Sequence, residues 1–300
     1  MTNYKYGAHQ FLWIEHWSDD SLHILDEARA LGVDCFEISL GDDIAFDPIP
    51  VRERAKELGL ELSVGPGNIW PMECDISYES VENQRLGMAR HRWIIEQVAE
   101  IGAVAYNGAT YGHPGHILRQ PREHAELERI ARNLSQLADY AQSLNVKLVI
   151  EPMSRFRTHL IHSAQDAVDL IALVNHPNLY INLDTYHMIT EERDYAKAIK
   201  TCGDALWGIH ACESDRGVPG GGLVPWNDVF HSLADVCPNA RILMETYNTG
   251  KQGFGYCRGI FKDVCPDAPG FVKNGLEFLK QRAEVVQLKS TRQSKIEKEL

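Results

Sequence analysis

The chain has 300 residues, 44% hydrophobic and 24% charged, a composition expected of a globular soluble chain that one domain can accommodate. Its net charge of -12 and pI near 5.5 disfavour non-specific binding to nucleic acid or an anionic membrane, both themselves negative, and suit a small neutral ligand better. The start Met1-Thr2-Asn3-Tyr4-Lys5-Tyr6 has no signal-peptide pattern, no stretch approaches the ~20 apolar residues of a membrane span, and the seven cysteines never form CxxC, so a reducing, cytoplasmic setting is expected.

In chain order, short apolar runs alternate with longer amphipathic ones, the rhythm of βαβ units. Strands are predicted at residues 4–8, 35–39, 60–64, 103–107, 147–151, 179–184, 207–210 and 241–245. Helices are predicted between and after them, at 21–31, 50–58, 80–101, 122–144, 163–174, 195–201, 226–236 and 270–282. Asp47 before Pro48 and Pro50, and Ser163 three residues before Asp166, have the chemistry of helix N-caps. Gly32, Gly59, Gly102 and Gly203 fall where a left-handed C-terminal cap is wanted.

Strand and helix eight times over, with a mean repeat of about 37 residues, imply an α/β chain folded as a (β/α)8 TIM barrel. The competing open, doubly wound sheet lacks the GxGxxG expected after its first strand. Residues 1–285 are read as a single barrel domain and 286–300 as a charged C-terminal extension. Long insertions at 65–78, 108–121 and 246–269 follow strands 3, 4 and 8, on the face where βα loops build active sites. Phe11, Trp13, Trp17, Trp70, Tyr106, Tyr111 and Phe254 are assigned to the same face, where flat rings suit sugars.

The last four strands each end in a metal-competent side chain: Glu151, Asp184, His210 and Glu245. Adjacent strand ends converge at a barrel mouth, so these groups can meet although about 26 to 35 residues separate them in sequence. Three carboxylates and an imidazole form a hard donor set that suits Mn2+, Mg2+ or Co2+ better than a structural zinc. Taken singly, each acid could equally cap a loop or pair with an arginine. Together they would hold a metal that acts as a Lewis acid and, in Glu151 and Glu245, provide a pair of proton carriers for a carbon next to a carbonyl.

The runs Glu151-Pro152-Met153-Ser154-Arg155-Phe156-Arg157-Thr158-His159, Leu183-Asp184-Thr185-Tyr186-His187-Met188, His210-Ala211-Cys212-Glu213-Ser214-Asp215-Arg216 and Met244-Glu245 resemble the xylose-isomerase-like sugar isomerase and epimerase superfamily. Within it the sequence is most similar to the ketose 3-epimerases of the D-tagatose and D-psicose group, over roughly residues 7–279. The resemblance implies that Glu151, Asp184, His210 and Glu245 hold the metal, with Mn2+ the first candidate. It implies that the two glutamates exchange the C3 proton of a ketose through an enediolate, and that His187 and Arg216 hold the adjacent substrate oxygen. It further implies a carbohydrate substrate and a homo-oligomer, dimer or tetramer.

The sequence departs from that group at Arg157, where a second glutamate is expected. A guanidinium there could pair with a substrate carboxylate or phosphate, or with an acid of the protein. The loop 110–116 also differs, and its His113 could act as a proton carrier or substrate contact, or simply face solvent. His9, at the end of strand 1, and Trp13 are further candidate substrate contacts. Arg157 and the His113 loop keep open a second reading on the same scaffold, a metal-dependent lyase or dehydratase acting on a 3-keto sugar. A metal-dependent phosphodiester hydrolase would require more histidine ligands and a basic groove, and a barrel that binds sugar without turning it over is the least chemical alternative.

Overall fold

The computed structural model describes residues 2–41, 46–67, 70–250 and 253–299, with side chains described to residue 288 except at residue 257. Eight parallel strands, β1 (Lys5–His9), β2 (Cys35–Ser39), β3 (Glu61–Gly65), β4 (Ala105–Gly108), β5 (Lys147–Ile150), β6 (Leu179–Asp184), β7 (Leu206–His210) and β8 (Arg241–Met244), close into a barrel in sequence order. Closure runs through β1 and β8, with Gly7 opposite Leu243. The (β/α)8 expectation is met, with strand ends within two residues of those predicted.

Around the barrel lie α1 (His23–Ala30), α2 (Pro48–Leu58), α3 (Val81–Glu100), α4 (His124–Ser143), α5 (Ala164–Val174), α6 (Thr185–Glu191), α7 (Tyr195–Cys202), α8 (Trp226–Val236) and α9 (Ala268–Glu299). Local chemistry sets their ends. Asp47 accepts from the Ile49 amide ahead of α2, and Ser163 and Asp166 form a reciprocal capping box on α5. Gly59 closes α2 at φ 64°. One difference from expectation concerns helices: α6, which was not predicted, starts directly at the end of β6, while α9 runs on through the charged C-terminal segment to Glu299.

Side chains alternate along a strand, so each contributes to stacked layers inside the barrel. At the N-terminal end Glu61 pairs with Lys5 and with Arg241, whose Nε lies at 2.8 Å. Two residues on, Cys35, Ala105, Val149 and Leu243 pack with Trp207 in an apolar layer. Two further on, the same alternation brings His9, Glu37, Asn107, Glu151 and Glu245 to the C-terminal mouth, where all five line one cavity with His210. The apolar layer separates the ion cluster below from the polar site above. The larger core lies between barrel and helices, built from residues such as Leu25, Phe36, Ile94, Leu134, Ile181 and Phe230.

Candidate active site

Glu151 follows β5, Asp184 ends β6, His210 ends β7 and Glu245 follows β8, and all four are buried. One ligating atom from each lies within 4.8 Å of the others. His210 Nδ1 is 3.2 Å from Glu151 Oε2 and 3.3 Å from Glu245 Oε2, yet makes no hydrogen bond, and buried Asp184 Oδ2 also has none. Three buried carboxylates at this spacing repel one another, and beside the Arg216 contact the cluster offers carboxylate oxygens and, once its Nδ1 proton is displaced, the His210 imidazole as lone-pair donors. The donor set therefore fits a hard divalent cation.

The surroundings treat the two glutamates differently. Burial pushes Glu151 up to about 7 even though His210 pulls it down. Burial acts the same way on Glu245, but Arg216 and His210 outweigh it and hold that carboxyl well below the usual range. Arg216 Nη1 donates to Glu245 Oε2 at 2.8 Å and stands 2.7 Å from Asp184 Oδ2. Tyr247 adds a hydroxyl bond to Glu245 Oε1 at 3.2 Å. Burial would lower His210, but Glu151, Glu245 and Glu37 reverse it and hold the imidazole well above its ordinary value.

The local sequence is built to hold these ends. Thr185 Oγ1 donates to Cys212 O at 2.6 Å and accepts from Cys212 N at 3.0 Å, tying the end of β6 to the segment after β7. Asp184 caps α6 by accepting from Tyr186 N at 2.8 Å, which fixes its carboxylate beside the other ligands. Glu213 organises the loop after β7, accepting from Gly220 N and from Trp226 Nε1, each at 2.6 Å. Arg216 within that loop has φ 67°, a left-handed conformation that a non-glycine residue adopts only when its surroundings impose it.

The predicted substrate contacts are spread more widely. His9 and Arg157 line the cavity, as do Phe11, Trp70, Met153, Tyr247 and Arg258. His9 Nδ1 accepts from Phe11 N at 3.0 Å, and burial lowers its pKa to about 4, so the ring is neutral. His187 and Arg216 are buried outside the cavity lining and touch each other, Nη2 to Nε2 at 3.4 Å. Burial lowers His187 to about 4, which leaves Nε2 free to accept from Arg216.

Trp13 and His113 are not brought to the cavity wall. Trp13 donates from Nε1 to Glu27 Oε2 at 2.7 Å and packs on Phe36. His113 points Nε2 at Trp70 O, 2.8 Å away, while Asp75 Oδ2 accepts from its amide. The indole N–H and the imidazole thus each have a protein acceptor. Of the other assigned aromatics, Trp17 packs on Phe36, Tyr106 bonds His91 and Tyr111 donates to Glu151 O.

Glu37 was missed by the sequence reading. It is buried mid-strand, with Oε1 3.3 Å from His210 Nε2, and its Oε2 accepts from Ser63 Oγ at 2.8 Å and Asn107 Nδ2 at 3.1 Å. The signal was available: a lone carboxylate in the run Cys35-Phe36-Glu37-Ile38-Ser39, on the same alternation as Cys35 and Ser39.

The chain is similar in sequence and fold to known proteins. The chain is 29% identical to a D-psicose 3-epimerase of Enterocloster bolteae over 274 residues, covering 89% of this chain and 90% of that one. It is 28% identical to a D-psicose 3-epimerase of Ruminiclostridium cellulolyticum over 247 residues, covering 81% and 84%. Among solved structures, an L-ribulose 3-epimerase superposes with a TM-score of 0.89 at 23% identity over 97% of this chain and 98% of that one, a likeness of fold. Residues 25–282 match the xylose isomerase-like TIM barrel family, and the chain belongs to it.

Proposed function

We propose that the chain is a metal-dependent isomerase that inverts C3 of a ketose, or of a keto-sugar derivative, by proton transfer. The observation that carries this reading is the meeting of four ligating atoms within 4.8 Å, three of whose residues, Glu151, His210 and Glu245, line a cavity with Phe11, Trp70 and Tyr247. The names of the related 3-epimerases support it. Mn2+ is the first candidate for the metal, with Mg2+ and Co2+ next, because the donor set is three oxygens and one nitrogen. When bound, the cation supplies Lewis-acid stabilisation of the charge that develops on the carbonyl oxygen as the neighbouring carbon loses its proton.

The residues of the chain supply the rest. Glu151 and Glu245 come from different strand ends and both line the cavity, so two carboxylates are at hand, one to remove a proton and the other to return it. Arg216 orients Glu245 and keeps it ionised. Neutral His187 accepts from Arg216 behind the cavity lining and so helps to fix the guanidinium that holds Asp184 and Glu245. Neutral His9 and Asn107 line the same floor and can hold sugar hydroxyls.

The lyase or dehydratase alternative drew on Arg157 and the His113 loop; with His113 turned to Trp70 O, only Arg157 still favours it. Incubating the protein with Mn2+ and a panel of ketoses in D2O tests the proposal. C3 deuterium and the epimeric ketose are expected, whereas an olefinic product or no incorporation with any ketose rejects it.

A further inference from the structure

Arg157 is set apart from the other arginines around the mouth. Arg155 is clamped to Glu191, Nη2 to Oε2 at 2.8 Å, and Arg216 bridges Asp184 and Glu245. Arg258 lies over the rings of Phe11, Tyr247 and Phe254, 4.3 to 5.4 Å from their centroids. Among the described residues the Arg157 guanidinium has no carboxylate, carbonyl or ring partner, yet it lines the cavity. Its backbone is fixed on both sides: its amide donates to Ser154 O at 2.8 Å and its carbonyl accepts from Gly115 N at 2.6 Å.

The side chain is thus presented by an ordered turn and not by a loose end. Its positive charge reaches inward, contributing to the lowering of His187 and opposing the upward shift of Tyr247. The cavity combines an acidic set, Glu37, Glu151 and Glu245, with two guanidinium groups, Arg157 and Arg258, in the same wall. A neutral sugar would leave the Arg157 fork with hydroxyl acceptors only. A planar carboxylate or a phosphoryl group matches both its charge and its geometry.

Building on the epimerase reading, we propose that the substrate is an anionic keto sugar whose carboxylate or phosphoryl group, remote from the reacting carbon, is bound by Arg157. No chemistry occurs at that group; it anchors the ligand and sets which sugar is accepted.

The test compares D-fructose, D-fructuronate and D-fructose 6-phosphate, the same keto sugar with a neutral, carboxylate or phosphoryl terminus. Each is titrated calorimetrically against the Mn2+-loaded intact protein and its Arg157→Gln variant, and C3 deuterium exchange is measured in parallel. At least one anionic sugar is expected to bind tenfold or more tightly than D-fructose. Arg157→Gln is expected to remove most of that preference, and Arg157→Lys to recover part of it, because charge returns without the fork. The better of the two anions identifies the terminus. Preference for D-fructose, or an equal loss with all three sugars in Arg157→Gln, overturns the proposal. Arg157-dependent anion binding without exchange or epimer would instead overturn the epimerase reading while leaving anion recognition in place.

Discussion

Glu37 Oε1 stands 3.3 Å from His210 Nε2, while the other ring nitrogen, Nδ1, faces Glu151 and Glu245. A carboxylate on one side of an imidazole fixes the proton on the near nitrogen and turns the far lone pair toward the site, as in carboxylate–histidine–metal arrangements. Glu37 is itself held by Ser63 and Asn107, so the ring has one preferred orientation.

Glu37→Gln is therefore expected to weaken Mn2+ binding by about 10- to 100-fold, the usual effect of removing such a partner. Calorimetric titration with Mn2+ measures this directly. Recovery of kcat at saturating Mn2+ would show that Glu37 acts through His210, whereas unchanged Mn2+ affinity would remove it from the site.

Because the donor cluster is buried and its carboxylates repel, cation binding should also stabilise the fold. Metal at 100 times its Kd adds about 2.7 kcal/mol, which for a chain of this length raises Tm by roughly 4 °C. Chelation should reverse the shift. Asp184→Asn should abolish it, since Asp184 supplies one of the four clustered ligating atoms and an amide is a much weaker ligand than a carboxylate. A shift that persists in Asp184→Asn would place the metal elsewhere.

Much of the architecture was legible in the sequence because period and punctuation agreed. Apolar runs ended in Glu151, Asp184, His210 and Glu245, and the capping residues Asp47, Ser163 and Gly59 act as caps in the fold. Helix α6 was not legible because Asp184 is both the last strand residue and the N-cap, which leaves no loop to announce a new element. The orientations of Trp13 and His113 were not legible for a different reason. Their directions are set by Glu27 and by Trp70 O, partners 14 and 43 residues away that no local pattern reveals.

The loop carrying Arg216 depends on Glu213, which gathers Gly220 N, Trp226 Nε1 and Val224 N around one buried carboxylate. Gly222 also matters, since a Cβ there would come within 2.4 Å of Glu213 Oε2. Glu213→Gln removes charge from these bonds and should lower stability by about 2 kcal/mol. If Glu213 imposes the left-handed turn at Arg216, kcat/KM should fall more than tenfold at temperatures where the variant is fully folded. A destabilised variant with native kcat/KM would mean that Arg216 is held by Asp184 and Glu245 alone.

His91 links stability to pH away from the carboxylate cluster. It is fully buried on α3, with Nδ1 2.8 Å from Tyr106 Oη and Nε2 unpartnered, and burial lowers its pKa to about 3. The folded chain keeps the ring neutral, whereas the unfolded chain protonates it near its ordinary value of about 6.5. Below that pH the unfolded state binds a proton that the native state does not. The stability associated with a neutral His91 is thus fully present above about pH 6.5 and is lost at up to about 1.4 kcal/mol per pH unit as pH falls toward 3. Urea unfolding at pH 6.5 and pH 5 should show the native chain losing roughly 2 kcal/mol more than His91→Gln over that interval. Parallel losses in the two proteins would refute the assignment. The effect bears on function because the His91 ring packs on Trp70, which lines the cavity and whose carbonyl holds His113. Acid that opens the His91 pocket should therefore loosen one wall of the site, and in His91→Gln the acid limb of kcat/KM should move to lower pH together with the unfolding curve.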